Sequence, residues 1–204
     1  MNRPWVLGLT GGVGCGKSSA AEVLAADGVP VFDADQAAHE ALAPGQDGLR
    51  EVEAAFGPGY VRDGVLDRKA MAERVFGDDA ARERLNAIVH PRVFAAMQAW
   101  LAGQVQVRPA VVVMVPLLFE KGAERWCDAT LVIAANEAIV LERLAGRGWS
   151  HAQARARMQA QWPLERKMAL ADMVVWNNGT KEEMAAAVRA AYRSLMLERK
   201  QSHE

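Results

Sequence analysis

Residues 5–18 read W-V-L-G-L-T-G-G-V-G-C-G-K-S, and the fold follows from this stretch. Positions 5–10 are a compact apolar run ending in glycines, the pattern of a strand buried on both faces. Residues 11–18 match G-x-x-x-x-G-K-[ST] in full. Glycines let successive backbone N–H groups turn inward and form a nest for a phosphate. Lys17 then reaches the β- and γ-phosphates, Ser18 offers a hydroxyl to Mg²⁺, and the following helix adds its N-terminal dipole. The expected nucleotide contacts are therefore Gly11, Gly12, Val13, Gly14, Cys15, Gly16, Lys17 and Ser18, holding magnesium-ATP. A chance match is expected in on the order of one chain per hundred of this length, so the motif is specific.

Working outward, residues 16–26 place Ala20, Val23 and Leu24 at helical spacing, Asp27-Gly28 closes that helix, and 29–32 read as a short strand ending at Asp33. Strand, glycine loop, helix and strand make a right-handed βαβ unit with a parallel sheet. From 37 to 103 the pattern turns helical. One helix is expected from Leu66-Asp67 with Met71, Val75 and Phe76 inward, a second from Asp78-Asp79, and a third with Pro91 as its first residue. No strand is expected in this block, only a possible turn around 57–64. The sheet resumes at 110–115 and 130–134, followed by a helix over 137–145. A second helical excursion carries Arg143, Arg147, Arg155, Arg157, Arg166 and Lys167. A last strand at 173–176 and an amphipathic helix over 180–198 close the chain.

Composition narrows the partners. The 204 residues carry 24 Lys+Arg against 25 Asp+Glu, a net charge of −1, which gives no reason to expect nucleic acid or a membrane surface. No apolar run approaches the roughly 20 residues that span a bilayer. Cys15 and Cys127 lie far apart and outside any metal-ligand spacing, which fits a reducing, cytoplasmic setting.

Three classes of nucleotide protein remain open: a small-molecule kinase, a GTPase switch and an assembly ATPase. The chain has no Asn-Lys-x-Asp guanine reader, and the 110–115 strand ends in Pro116 with no carboxylate before Glu120. The acidic candidates sit instead in Asp33-Ala34-Asp35, where strand alternation would point both carboxylates the same way. Such a carboxylate could accept a proton from an attacking hydroxyl, orient it, or help hold Mg²⁺; the alternative is that it caps the next helix. Arg143 and Arg147 are four apart, which puts them on one face at the end of a helix, where a closing lid could bring them to the transferred phosphoryl group.

The combination G-L-T-G-G-V-G-C-G-K-S at 8–18, D-A-D at 33–35, L-N-A-I-V-H-P at 85–91, V-P-L-L-F-E at 115–120 and A-D-M-V-V-W-N-N-G at 171–179 resembles the dephospho-CoA kinase family. The resemblance implies an α/β, P-loop NTPase fold: a five-stranded parallel sheet flanked by helices, with an inserted helical substrate-binding domain and a small helical lid. It places the core at 1–36, 104–145 and 167–204, the helical domain at 37–103 and the lid at 146–166. It implies transfer of the ATP γ-phosphoryl group to the ribose 3′-hydroxyl of dephospho-CoA, with no obligatory protein partner. By the same likeness Asp35 is the general base, with Lys17, Arg143 and Arg147 beside it as catalytic groups. Ser19, Asn178 and Gly179 join the nucleotide contacts. Thr10, Asp33, Asp35 and His39 fall on the substrate side, as do His90, Pro91, Leu117 and Glu120. Ser19 stands where the family often has threonine, and His39 where many members carry arginine.

Overall fold

Seven consecutive buried residues form β1 (Trp5–Gly11). An apolar run with no polar alternation needs helices over both faces of its sheet. The structure, a computed structural model, describes residues 4–104 and 110–201. Three parts of the expected core segments, 1–3, 105–109 and 202–204, lie outside the described residues.

The glycine loop after β1 feeds α1 (Lys17–Ala26) and then β2 (Val31–Asp33), which starts only after Pro30, a residue with no N–H for a ladder. Next come α2 (Ala34–Ala41), α3 (Asp47–Phe56), the short strands β3 (Val61–Arg62) and β4 (Val65–Leu66), α4 (Arg68–Val75) and α5 (Asp79–Gln104). The chain continues through β5 (Ala110–Met114), β6 (Ala129–Ala134), α6 (Glu137–Ala145), α7 (His151–Gln159), α8 (Leu164–Leu170), β7 (Met173–Trp176) and α9 (Lys181–Gln201).

The five-stranded parallel sheet has the order β2-β5-β1-β6-β7. β1 lies between β5 and β6, so the chain order reverses beside it. Ligands of open α/β sheets bind outside the carboxyl ends of the strands at such a point. One face of the sheet packs Leu7, Leu9, Leu131 and Ile133 against Leu24 of α1, Val140 and Leu144 of α6, and Val188 and Leu195 of α9. The other face packs Val132 and Val174 with Leu118, Phe119, Trp162 and Met168. α1 and α9 are also tied by Arg189, which donates to both carboxylate oxygens of Asp27 at 2.7 and 2.9 Å. Reciprocal bonds between Thr180 and Glu183, and between Ser150 and Gln153, start α9 and α7 by capping their first turns. No helix among the described residues is long and apolar enough to cross a membrane.

Residues Asp33–Gly103 form a second compact unit with its own core of Leu42, Leu49, Val52, Leu66, Met71, Ile88 and Val89. Three expectations fail inside it. The turn near 57–64 is a true antiparallel hairpin, with Val61 opposite Leu66 and Arg62 opposite Val65. Asp63 (φ 51°) and Gly64 (φ 73°) are both left-handed, the geometry of an Asp-Gly hairpin turn whose twist suits its strands. The helix break at Pro91 does not occur, because α5 runs through it. An interior proline costs about 3 kcal/mol, but Ile88, Val89 and Val93 bury against the unit's core on both sides of it, at about 1.5–3 kcal/mol for each fully buried side chain. The Arg92 side chain also donates to the Ile88 carbonyl at 2.5 Å beside the missing N–H. Phe76, expected inward on α4, is 69% exposed, because the helix stops at Val75 and Phe76 turns to extended backbone.

Candidate active site

The loop between β1 and α1 is held from below by side chains of other elements. Gly14 (φ 73°) rests on Val140 and Leu144 of α6, where a Cβ would come within 3.0 and 3.2 Å. Gly16 (φ 101°) faces Asn177, and a Cβ there would run into its amide nitrogen. Asn177 follows β7 and is buried; its Nδ2 donates to the Cys15 carbonyl at 2.9 Å, and its own N–H donates to the Ala134 carbonyl at 2.7 Å. The loop thus takes its shape from two glycines in a conformation that side chains resist and from one amide clamp. Burial pushes the Cys15 thiol up, against a smaller downward pull from Lys17, so Cys15 fills space as an inert thiol.

Lys17 lies across the loop, its Nζ donating to the Gly11 carbonyl at 3.1 Å and the Gly12 carbonyl at 2.8 Å. Ser18 and Ser19 are exposed on the first turn of α1. That turn has no side-chain cap and no acidic residue, so its amides and dipole favour an anion. No group of three or more His, Cys, Asp or Glu among the described residues could cage a metal ion. The exposed Ser18 hydroxyl at the phosphate loop fits Mg²⁺, which binds through one or two protein ligands, waters and substrate phosphates.

Of the six Lys and Arg residues between 143 and 167, four pair with a carboxylate or stack on a tryptophan ring. Arg155 pairs with Glu137 at 3.9 Å, Arg157 lies over the Trp149 ring, Arg166 stacks on Trp162, and Lys167 pairs with Glu120 at 2.7 Å. Two remain. Arg143, in the last turn of α6, donates from Nη2 to Asn177 Oδ1 at 3.3 Å, while its Nη1 is buried with no partner among the described residues. Arg147 is exposed and lies beyond the end of α6, not within the same helix as Arg143 as its spacing suggested. α6 ends at Ala145 in a Schellman turn, with Gly148 N–H to the Ala145 carbonyl at 2.9 Å and Trp149 N–H to the Leu144 carbonyl at 3.1 Å. Left-handed Gly148 (φ 82°) closes this turn, and Arg147 lies two residues past the end of α6.

A sequence model of the dephospho-CoA kinase family matches residues 5–183, a span that takes in the phosphate loop, both arginines and Asn177. The chain belongs to the dephospho-CoA kinase family. It is 45% identical over 180 residues to the dephospho-CoA kinase of Geobacillus kaustophilus, which covers 87% of this chain and 90% of the relative. It is 46% identical over 183 residues to that of Anaeromyxobacter dehalogenans, with 88% and 87% covered. Among solved structures, TT1252 of Thermus thermophilus superposes with a TM-score of 0.82 at 36% identity, covering 95% of this chain and 98% of its own. Dephospho-CoA kinase from Campylobacter jejuni gives a TM-score of 0.69 at 25% identity, with 93% and 96% covered.

The other residues that the family likeness pointed to fall into two groups. Thr10, Leu117, Glu120, Asn178 and Gly179 belong with the sheet. Thr10 is buried, and its hydroxyl donates to the Pro116 carbonyl at 3.2 Å. Leu117 is half-buried at the exit of β5. Glu120 Oε1 accepts from Lys167 and from Trp162 N–H at 3.1 Å. Asn178 Oδ1 accepts from Asn136 N–H at 2.8 Å, joining the end of β7 to the start of α6. Gly179 runs so close to Glu183 that a Cβ would meet its carboxylate.

Asp33, Asp35, His39, His90 and Pro91 belong to the Asp33–Gly103 unit. Asp33 Oδ1 accepts from Asp35 N–H at 2.8 Å and Gln36 N–H at 3.2 Å, so Asp33 caps α2. The two carboxylates do not alternate along a strand as the sequence suggested. α2 begins at Ala34, and Asp35 is exposed in its first turn. His39 is exposed in the last turn of α2, His90 is half-buried in α5, and Pro91 is exposed. Sequence reasoning missed Asn177, which both clamps the loop and holds Arg143. Its signal was a polar residue closing an apolar strand at W-N-N-G, 176–179, directly before Asn178 and Gly179.

Proposed function

We propose that this chain transfers the γ-phosphoryl group of ATP to the ribose 3′-hydroxyl of dephospho-CoA, giving CoA and ADP, the last step in making coenzyme A. Arg143 carries the reading on the structural side: a buried guanidinium nitrogen with no partner among the described residues, on a side chain anchored to the residue that clamps the phosphate loop. A buried cationic donor left unsatisfied is costly, and a phosphate oxygen is the ligand that satisfies it.

The loop amides of 11–16 and the open first turn of α1 hold the triphosphate, and Lys17 exchanges its two carbonyl partners for β- and γ-oxygens. The Ser18 hydroxyl would hold Mg²⁺, which would supply neutralisation of the triphosphate's negative charge. Asp35 is the general base in this proposal. Asp33 caps α2, and Asp35 is exposed in the first turn of the same helix. The acceptor oxygen bonds to the γ-phosphorus as its proton passes to Asp35. The bond from that phosphorus to the β,γ-bridging oxygen breaks, and ADP leaves. Arg143 and Arg147 stabilise the charge spread over the equatorial oxygens. Residues 37–103 serve as the substrate domain, with His39, His90 and Pro91 on its acceptor side, and 146–166 as the lid. Ser19, Asn178 and Gly179 border the nucleotide, and Leu117 borders the acceptor. The two free cysteines support a cytoplasmic site of action, and the enzyme works without an obligatory protein partner.

Turnover measured with dephospho-CoA beside AMP and simple nucleosides tests the substrate, with dephospho-CoA expected to be strongly preferred. Asp35→Ala should leave ATP binding nearly intact and lower turnover by about 100-fold or more. Unchanged turnover removes Asp35 from the mechanism, and acceptor-independent hydrolysis that a protein partner stimulates would favour an assembly ATPase.

A further inference from the structure

Lys167 on α8 is fully buried and directly follows the proposed lid segment, 146–166. Its Nζ donates to Glu120 Oε1 at 2.7 Å and to the Pro116 carbonyl at 2.9 Å. The same Glu120 oxygen receives Trp162 N–H at 3.1 Å, and the same Pro116 carbonyl receives the Thr10 hydroxyl at 3.2 Å. Thr10 directly precedes Gly11, whose carbonyl holds Lys17. Three residues before Lys167, Leu164 packs into both sheet cores and lies beneath Gly12 of the phosphate loop, 3.9 Å from the position of a Cβ there. One short helix therefore touches the phosphate loop through Leu164 and grips the exit of β5 through Lys167.

Stability alone does not account for this arrangement. A buried ion pair gains little over well-packed apolar residues of the same volume. Glu120 Oε2 is itself buried with no partner among the described residues, which adds to the burden of burying the pair. What the ionic pair does supply is direction: the ammonium has one arrangement that meets both Glu120 and the Pro116 carbonyl, so α8 has one seat.

We infer that Lys167 is a positioning residue, with Glu120 as its counter-ion, and that the pair anchors the carboxyl end of the lid so that it closes in register over the phosphate loop. The other end of that segment is anchored by the Schellman turn that carries Arg147. Loosening the Lys167 end leaves nucleotide binding in place. It spoils delivery of the lid, so transfer slows and water reaches the phosphoryl group.

The inference rests on the proposed kinase reading, and its test separates the two. Wild type, Glu120→Gln and the double variant Glu120→Gln/Lys167→Met are compared with ATP, Mg²⁺ and dephospho-CoA. The quantities read are kcat, KM for ATP, the ratio of ATP hydrolysed to acceptor phosphorylated, and the melting temperature. Glu120→Gln keeps an oxygen for Lys167 and Trp162 and removes only the charge, so a folded protein is expected. Both variants should lose about ten- to hundredfold in transfer with KM for ATP within about twofold, and the hydrolysis ratio should rise by a similar factor. The double variant, with no unpaired buried charge, should recover melting temperature without recovering the ratio. An unchanged ratio in both variants, or a ratio that recovers together with stability, makes the pair structural and overturns the inference. A wild-type chain that phosphorylates no dephospho-CoA overturns the kinase reading first.

Discussion

Asn177→Ala removes the amide that holds the phosphate loop in shape, and the structure sets the size of the effect. The bond to the Cys15 carbonyl at 2.9 Å and the bond from Arg143 Nη2 at 3.3 Å both disappear. Each is a net contribution of about 1 kcal/mol, and the Cys15 carbonyl is left buried without its donor, which adds about 1–3 kcal/mol. Because small shifts will relieve part of this, the expected loss is about 2–4 kcal/mol in the nucleotide-free protein. If about 1 kcal/mol of it reappears as lost preorganisation of the loop, KM for ATP rises about fivefold. The assay is urea unfolding without nucleotide, paired with initial rates across an ATP titration. Asn177→Asp is the informative companion. It keeps an acceptor for Arg143 but turns a carboxylate toward the Cys15 carbonyl, so its ATP defect should equal or exceed that of alanine. A variant within about 0.5 kcal/mol of wild type with unchanged KM would refute the clamp.

Arg147→Ala should lower kcat by about 100-fold while nucleotide affinity stays within about twofold, checked by single-turnover kinetics beside direct ATP binding; a pure binding defect contradicts a transition-state role. Gly64→Ala puts a side chain at φ 73° in the hairpin turn and should destabilise by about 1–2 kcal/mol in urea, whereas an unmoved midpoint would mean that the turn is not left-handed. The Arg189 guanidinium, hydrogen-bonded to Asp27, holds that carboxyl below its ordinary value. A depressed folded pKa adds stability above the unfolded value and loses it as pH falls through the folded one, so the contribution is whole at neutral pH and fades in acid. Asp27→Asn should therefore reduce stability at neutral pH and flatten the acid limb of a melting-temperature profile, and an acid limb identical to wild type would remove this pair from the account.

Much of the sheet was legible because its signals are local. An unbroken apolar run, a glycine loop and a following helical period identify β1 and α1 without reference to anything distant, and 137–145 and 173–176 needed only their own periodicity. The failures share a cause: the deciding contact lies far away in sequence, or a turn overrides a period. Pro91 reads as a helix start until the burial of Ile88, Val89 and Val93 on either side of it is weighed against the lost bond. Arg147 follows the four-residue rule on paper, but α6 ends at Ala145, two residues before it. Asp63-Gly64 is a strong hairpin signal, obscured by strands of only two residues each. The importance of Asn177 comes from Cys15, and that of Lys167 from Glu120 and Pro116. A one-dimensional reading has no access to those distances. It saw Lys167 as one more member of a basic segment, whereas the fold buries it completely.

The central claim is transfer of a phosphoryl group from ATP to one particular oxygen. Phosphorus NMR and mass spectrometry of a reaction containing the purified chain, ATP, Mg²⁺ and dephospho-CoA follow that oxygen directly. The account predicts one ADP for each CoA formed, with the new phosphate on the ribose 3′-oxygen and little ADP when the acceptor is withheld. ADP appearing at the same rate with and without dephospho-CoA, or phosphate on a different oxygen, would contradict it.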